Sequence, residues 1–256
     1  MIETNEIIIN SLSQKPRKAY VYLPTGYESS KDKRYPVIYM FDGHNLFSDS
    51  EATYGRSWRL ADYLDYTDTQ VIVAAVECNN EGKERLSEYS PIDFVDLDGD
   101  LIKGKGDKYM KWLINDFKKD IDASFRTLPD RKNTAIAGSS MGGLMSLFAL
   151  AKYNSVFSKA AALSPSIWVG GNDLENTLKD IFKSKISKDS ILYMDYGSKE
   201  LSFKKMDDIY AKATGIFIKE GINITSRIVP NGTHSEESWE KQIPIFMQVL
   251  GFKPRS

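Results

Sequence analysis

One cysteine and two histidines are all this chain holds of the residues that build disulfides and most transition-metal sites. Cys78 has no second thiol to pair with, so an internal disulfide is excluded, and no cysteine–histidine cluster of zinc spacing exists. No metal and no cofactor are therefore expected. Charge of one sign is also lacking. Lys and Arg number 34 against 35 Asp and Glu, a net charge of −1, which removes the electrostatic case for nucleic acid or an anionic membrane as partner. No apolar run approaches the ~18 residues of a membrane span. Met1-Ile2-Glu3-Thr4-Asn5-Glu6 is not a basic segment leading into an apolar one, so no secretory signal is read and a cytoplasmic location is expected. Internal repeats, low-complexity runs and linkers long enough to separate domains are missing too. What the chain does have is apolar residues, 41% of 256. That is enough for a substantial core, and one domain over 1–256 is the expectation. Nothing in the sequence marks an oligomer interface.

Short apolar runs alternate with helical patterns, the arrangement of a largely parallel sheet covered on both faces. About eight strands are predicted: Glu6–Asn10, Lys18–Leu23, Tyr35–Phe41, Val71–Val76, Thr134–Gly138, Lys159–Leu163, Ile191–Tyr196 and Asn223–Val229. The first two alternate in a way that suits an antiparallel edge. Helices are predicted over Tyr109–Phe125, where Met110, Leu113, Ile114, Phe117, Ile121 and Phe125 share a face, over Phe203–Phe217, and from about Glu237 to Leu250. One segment breaks the rhythm. Residues 92–107 carry several aspartates with Gly99, Gly104 and Gly106 in no clear period, and long irregular segments in compact domains tend to be lids or binding loops.

The motif that carries chemistry is Gly138-Ser139-Ser140-Met141-Gly142, between the apolar run Thr134–Ala137 and the amphipathic stretch from Leu144. G-x-S-x-G between a strand and a helix is a nucleophile elbow: a very sharp turn presents the serine, and the residues two before and two after it must lack side chains. The same turn aims the Met141 N–H, at a helix N-terminus, toward an oxyanion. A serine hydroxyl needs a base, and imidazole suits neutral pH. Chain order nucleophile–acid–histidine selects His234, in the loop Asn231–Ser235 after the last strand, over His44. The acid belongs just beyond Ile191–Met194, where Glu200 is the first choice and Asp195 the alternative. A second oxyanion donor is expected after Val37–Phe41, where Asp42-Gly43-His44 makes the His44 N–H the natural candidate and Gly43 lets the backbone come close.

With these pieces in place the chain resembles the esterase D-like branch of the α/β-hydrolases, which includes enterochelin, feruloyl and acetylxylan esterases, S-formylglutathione hydrolase and mycolyltransferases. The likeness runs from about Lys18 to Leu250. Beside the elbow it rests on Tyr39–Gly43 with Asn45-Leu46-Phe47, on Trp58, on Arg85–Pro91, on Leu163–Ser166 with Trp168, on Gly197–Glu200, and on Gly232-Thr233-His234 ahead of Trp239. It implies an α/β-hydrolase fold and a serine carboxylic ester hydrolase with Ser140 as nucleophile, His234 as base, the acid in the Tyr196–Glu200 loop, and Met141 and His44 at the oxyanion hole. The substrate would be a small or imported ester: acetyl, hydroxycinnamoyl or siderophore. An acyltransferase with the same triad, or a binding protein on this scaffold, are the alternatives. One departure is His44, where glutamine or an apolar residue is more usual; its imidazole would contact substrate if it points into the pocket. Asn45, Phe47, Trp58, Arg85, Glu88 and Trp168 are candidate substrate contacts, with core packing as the other reading of the aromatics. A structural ion pair bracing the loop is the other reading of Arg85 and Glu88.

Overall fold

The computed structural model of the chain describes residues 1–169, 186–200 and 206–255. Its spine is an eight-stranded sheet. In chain order the strands are β1 (Ile2–Ile8), β2 (Pro16–Tyr22), β3 (Val37–Met40) and β4 (Ile72–Val76). A separate ladder of β5 (Phe94–Val95) and β6 (Leu101–Ile102) follows. The main sheet then resumes with β7 (Thr134–Ser139), β8 (Lys159–Leu163), β9 (Ile191–Gly197) and β10 (Asn223–Val229). The order across it is β1-β2-β4-β3-β7-β8-β9-β10. β1 and β2 run antiparallel to their neighbours, and the remaining pairs are parallel.

Strand side chains alternate faces with period two, and the core divides accordingly. Val37 and Tyr39 of β3, Ile72 and Ala74 of β4, and Leu192 and Met194 of β9 enter one apolar cluster. Ile38 and Met40, Val73 and Ala75, and Tyr193 enter the other. Because both faces are covered, these strands read as unbroken apolar runs. Onto the first face pack α3 (Gly106–Trp112), α4 (Lys118–Ser124), α5 (Met141–Lys152) and α6 (Met206–Lys219). The second takes α1 (Leu60–Tyr66) and α8 (Ile243–Val249). Each fully buried Val, Leu or Ile on these faces contributes about 1.5–3 kcal/mol.

Three predicted elements differ in outline. β1 begins four residues and ends two residues earlier than expected, because Ile9 O accepts the Leu12 and Ser13 N–H groups (2.8 and 2.9 Å) and the turn this makes ends the strand. The helix expected over 109–125 begins at Gly106 and contains a π-helical turn at Leu113–Phe117. The C-terminal helix is two helices, α7 (Glu236–Glu240) and α8, with Pro244 in the first turn of the second; a proline tolerated there cannot sit inside one continuous helix. Positions 203–205 of the helix expected over 203–217 lie outside the described residues, and the rest of it falls in α6. The 92–107 segment is not wholly irregular, since it holds the β5–β6 hairpin before α3 starts.

Candidate active site

The chemistry-bearing loops leave the C-terminal ends of parallel strands, where open α/β sheets place their ligand sites. Ser140 stands between β7 and α5 with φ 56° and ψ −122°, a strained conformation for a side-chain-bearing residue. Neighbouring backbone holds it there: Ser140 N–H donates to Leu163 O (2.9 Å) and Ser140 O accepts from Ser166 N–H (3.0 Å). The flanking glycines are sterically required. A Cβ at Gly138 would come within 2.8 Å of Gly142 C, and one at Gly142 within 2.8 Å of Phe41 Cβ. Met141 opens α5, so its N–H has no acceptor four residues back and faces out of the helix end.

His234 follows β10 and hydrogen-bonds through Nδ1 to Glu200 Oε2 at 2.9 Å. Glu200 is fixed from its other oxygen, where Oε1 accepts from Ser164 Oγ (2.5 Å) and Gly197 N–H (2.6 Å). Trp239 Nε1 donates to Ser164 Oγ (2.9 Å), and the Trp239 ring meets the imidazole edge to face at 5.0 Å. Burial pushes the Glu200 carboxyl up, but the bonds from His234, Ser164 and Gly197 outweigh it and hold the group below the ordinary glutamate range. Ser140 Oγ has one hydrogen-bond partner among the described residues, Ser166 Oγ at 3.3 Å. It shares with His234 the wall of a cleft of about 730 Å³.

Asp195, the alternative acid, makes no bond to His234 among the described residues. It lies on β9, is 1% exposed, and accepts from Tyr193 Oη (2.5 Å) and Ser164 N–H (3.2 Å). Burial raises its carboxyl from the ordinary 3.8 to about 6. The folded state therefore holds this proton more tightly than the unfolded chain. The stability it supplies is complete below about pH 4 and is lost as pH rises through about 6. Urea midpoints of wild type and Asp195→Asn, measured at several pH values across that window, should show wild type losing ground to the variant as pH rises; parallel curves would assign the titration elsewhere.

The oxyanion-loop residues sit after β3. Asp42, left-handed at φ 55°, opens a single 3₁₀ turn, Gly43–Asn45, that contains His44. Its carboxylate is clasped by Arg85 through Nε and Nη2, each 2.8 Å, and despite its burial the guanidinium keeps it below the usual aspartate range. Gly43 is needed for packing as well as for approach to substrate, because a Cβ there would lie 2.7 Å from the Tyr20 ring. The His44 imidazole is not among the groups lining the cleft: Nε2 pairs with Thr53 Oγ1 (2.9 Å), and Nδ1 is buried without a partner among the described residues. Among the described residues one group has metal-ligand chemistry, Asp42, His44 and Cys78, with ligand atoms within 4.8 Å of one another. Arg85 already occupies both Asp42 oxygens, and burial raises the Cys78 thiol far above its ordinary range, so the set is poorly suited to an ion.

Of the six candidate contacts, Arg85 and Trp168 line the cleft. Trp58 is core, 2% exposed against Trp239 and Phe246. Phe47 packs between Tyr20 and Tyr22, and the Asn45 side chain accepts Thr53 N–H at 2.9 Å. Arg85 and Glu88 do not pair with each other. Arg85 holds Asp42, while Glu88, fully buried, receives both terminal nitrogens of Arg17 at 2.6 Å. Both partners are remote in sequence, which is why local reading joined the wrong two. Sequence reasoning gave no role to Ser166, Tyr196, Leu86, Leu97 or Ile228, all of which line the cleft. It also missed Glu236, whose carboxyl burial pushes up beside the site. Leu86, Ser166 and Tyr196 stand in stretches that carry the resemblance, but nothing in the sequence singled them out.

The sheet order and the loops it aligns are those of an α/β-hydrolase fold. A model of the family described as "Putative esterase" matches residues 9–248, and the chain belongs to that family; it is a carboxylic ester hydrolase. An uncharacterized protein, YbbA, of Bacillus subtilis (strain 168) is 27% identical over 187 residues, 72% of this chain and 69% of YbbA. An endo-1,4-beta-xylanase/feruloyl esterase of Xylanibacter ruminicola is 28% identical over 173 residues, 65% of this chain but 21% of that much longer protein. The crystal structure of an IroE-like serine hydrolase from Shewanella oneidensis superposes with a TM-score of 0.75 at 21% identity, covering 93% of this chain and 76% of that one. No helix among the described residues is long and apolar enough to cross a membrane.

Proposed function

We propose that the chain is a serine esterase working through an acyl-enzyme, with Ser140 as nucleophile, His234 as base and Glu200 as the acid. The observation that carries this reading is the 2.9 Å bond between His234 Nδ1 and Glu200 Oε2 at the wall of the cleft that Ser140 also lines. With Nδ1–H committed to the carboxylate, Nε2 is the nitrogen left to take the Ser140 proton as Oγ attacks the ester carbonyl. The Ser140 Oγ–Nε2 bond forms as substrate binds, since such bonds are often long in the free enzyme. The tetrahedral oxyanion is received by the Met141 and His44 N–H groups, each worth about 3–4 kcal/mol to the transition state. The alcohol leaves with the proton from His234, and water, activated by the same imidazole, releases the acid.

Trp168, Tyr196 and Leu86 give the cleft apolar walls, which suits an aromatic acyl group better than acetate. The feruloyl esterase named among the relatives points the same way. Incubation with a fluorophosphonate probe should label one residue stoichiometrically, found at Ser140 by peptide mass spectrometry. Methyl ferulate should give a higher kcat/KM than acetylated xylo-oligosaccharide or a trilactone siderophore. Labelling at another residue, or none, would overturn the assignment of the nucleophile.

A further inference from the structure

The β5–β6 hairpin stands at the mouth of the cleft, and its root and tip are held differently. The root is sewn to α2 (Glu84–Glu88) and the residues that follow it: Ser87 Oγ donates to Lys103 O (2.6 Å), Lys105 N–H to Ser87 O (2.7 Å) and Gly106 N–H to Ser90 O (2.8 Å). Phe94 and Ile102 pair across the ladder and are both 6% exposed, with Phe94 meeting Trp168 edge to face at 5.9 Å. A ladder of two residues per strand is too short to hold its own tip in place.

The tip is the turn Asp96-Leu97-Asp98-Gly99-Asp100, tightened by Asp96 Oδ1, which accepts from the Asp98 and Asp100 N–H groups (3.0 and 2.9 Å). Its three carboxylates converge on one cation. Lys83 Nζ, from the residue just before α2, lies 2.5 Å from Asp96, 2.9 Å from Asp98 and 2.7 Å from Asp100. Removing that ammonium would leave three like charges crowded in a five-residue turn, so the lysine both ties the tip down and relieves its own repulsion. The helix that Lys83 introduces supplies Arg85 and Leu86 to the cleft, and the tip supplies Leu97. Leu97 is 70% exposed, and Ile228, which also lines the cleft, is 53% exposed. Apolar side chains left open to solvent at a pocket rim are covered when a ligand extends past the reacting centre.

We propose that Lys83 is a specificity-determining residue, clasping the hairpin tip so that Leu97 covers the distal apolar part of bulky esters. It acts through Leu97 and touches no reacting atom. The proposal rests on the esterase reading above, and deepens it by naming esters with a long apolar acyl chain or a bulky aromatic alcohol, over small ones, as the preferred class.

The test compares wild type, Lys83→Met, Lys83→Arg and Leu97→Asp on p-nitrophenyl octanoate, 1-naphthyl acetate and p-nitrophenyl acetate. Lys83→Met should lower kcat/KM for at least one bulky ester relative to p-nitrophenyl acetate by about tenfold. The loss should appear in KM, with Lys83→Arg restoring most of it and Leu97→Asp reproducing it while the clasp stays intact. Hydrogen exchange, which needs no turnover, should show the amides of 95–101 exchanging faster in Lys83→Met only. Unchanged ester ratios or unchanged exchange would overturn the clasp. Wild type that turns over none of the three esters would instead overturn the reading on which it rests.

Discussion

Ser140→Ala is expected to lower kcat by about 10⁴-fold or more while leaving KM and the melting temperature nearly unchanged. Among the described residues the side chain makes a single hydrogen bond, 3.3 Å to Ser166 Oγ, so its removal costs the fold little. Alanine also meets the same backbone strain that serine already bears at φ 56°. What the variant loses is the nucleophile alone. The residual rate measures what the oxyanion donors and the cleft supply without it, since such sites retain some catalysis over water when a triad member is removed. Ser166→Ala is the control, because Ser166 lines the same cleft within hydrogen-bond reach of Ser140. Its effect should be smaller by orders of magnitude in p-nitrophenyl butyrate turnover. Comparable losses in the two variants would mean the attacking oxygen had been misassigned.

Glu200→Gln should cost about 10³- to 10⁴-fold in kcat, and Asp195→Asn less than about tenfold. The two carboxylates are five residues apart, but their surroundings differ in kind. Glu200 presents Oε2 to His234 and anchors Oε1 on Ser164 and Gly197. Glutamine keeps that shape but can turn an amide N–H toward Nδ1, forcing the wrong imidazole tautomer. Asp195 bonds instead to the Tyr193 hydroxyl and the Ser164 amide. Its replacement changes how stability depends on pH more than it changes turnover. Steady-state kinetics of both variants against one chromogenic ester is sufficient, and a reversed ranking would move the acid to Asp195.

The central strands could be read from the sequence because both of their faces are apolar and their ends are marked. Lys159–Leu163 falls where the pattern puts it, and Thr134–Ser139 runs one residue further than expected. β1 was displaced because the apolar run Ile7-Ile8-Ile9 continues past the strand's end at Ile8; a turn set by backbone bonds decided it. The division of the last helix was visible in principle, since Pro244 announces a new first turn. At the site, the elbow and the His234 loop are local features and were legible. The partners of Arg85 and Glu88 were not, lying 43 and 71 residues away. Trp58 and Phe47 look like pocket aromatics from their position beside Asp42–Asn45, yet the sheet face they flank needs filling, and packing claims them. Leu97 had no signal beyond its irregular surroundings.

The Arg17–Glu88 pair has a consequence for how this chain can diverge. Both groups are shut away from water, at 2% and 0% exposure, and they join strand β2 to the helix that carries Arg85. Deleting either one alone strands a buried charge, at a cost of about 3–5 kcal/mol, whereas exchanging both for apolar residues of similar volume is close to neutral. A lineage can therefore leave this pairing only by a double change or by first accumulating stability elsewhere. The two positions should be inherited as a unit, with the substitutions allowed at one dictated by the residue present at the other.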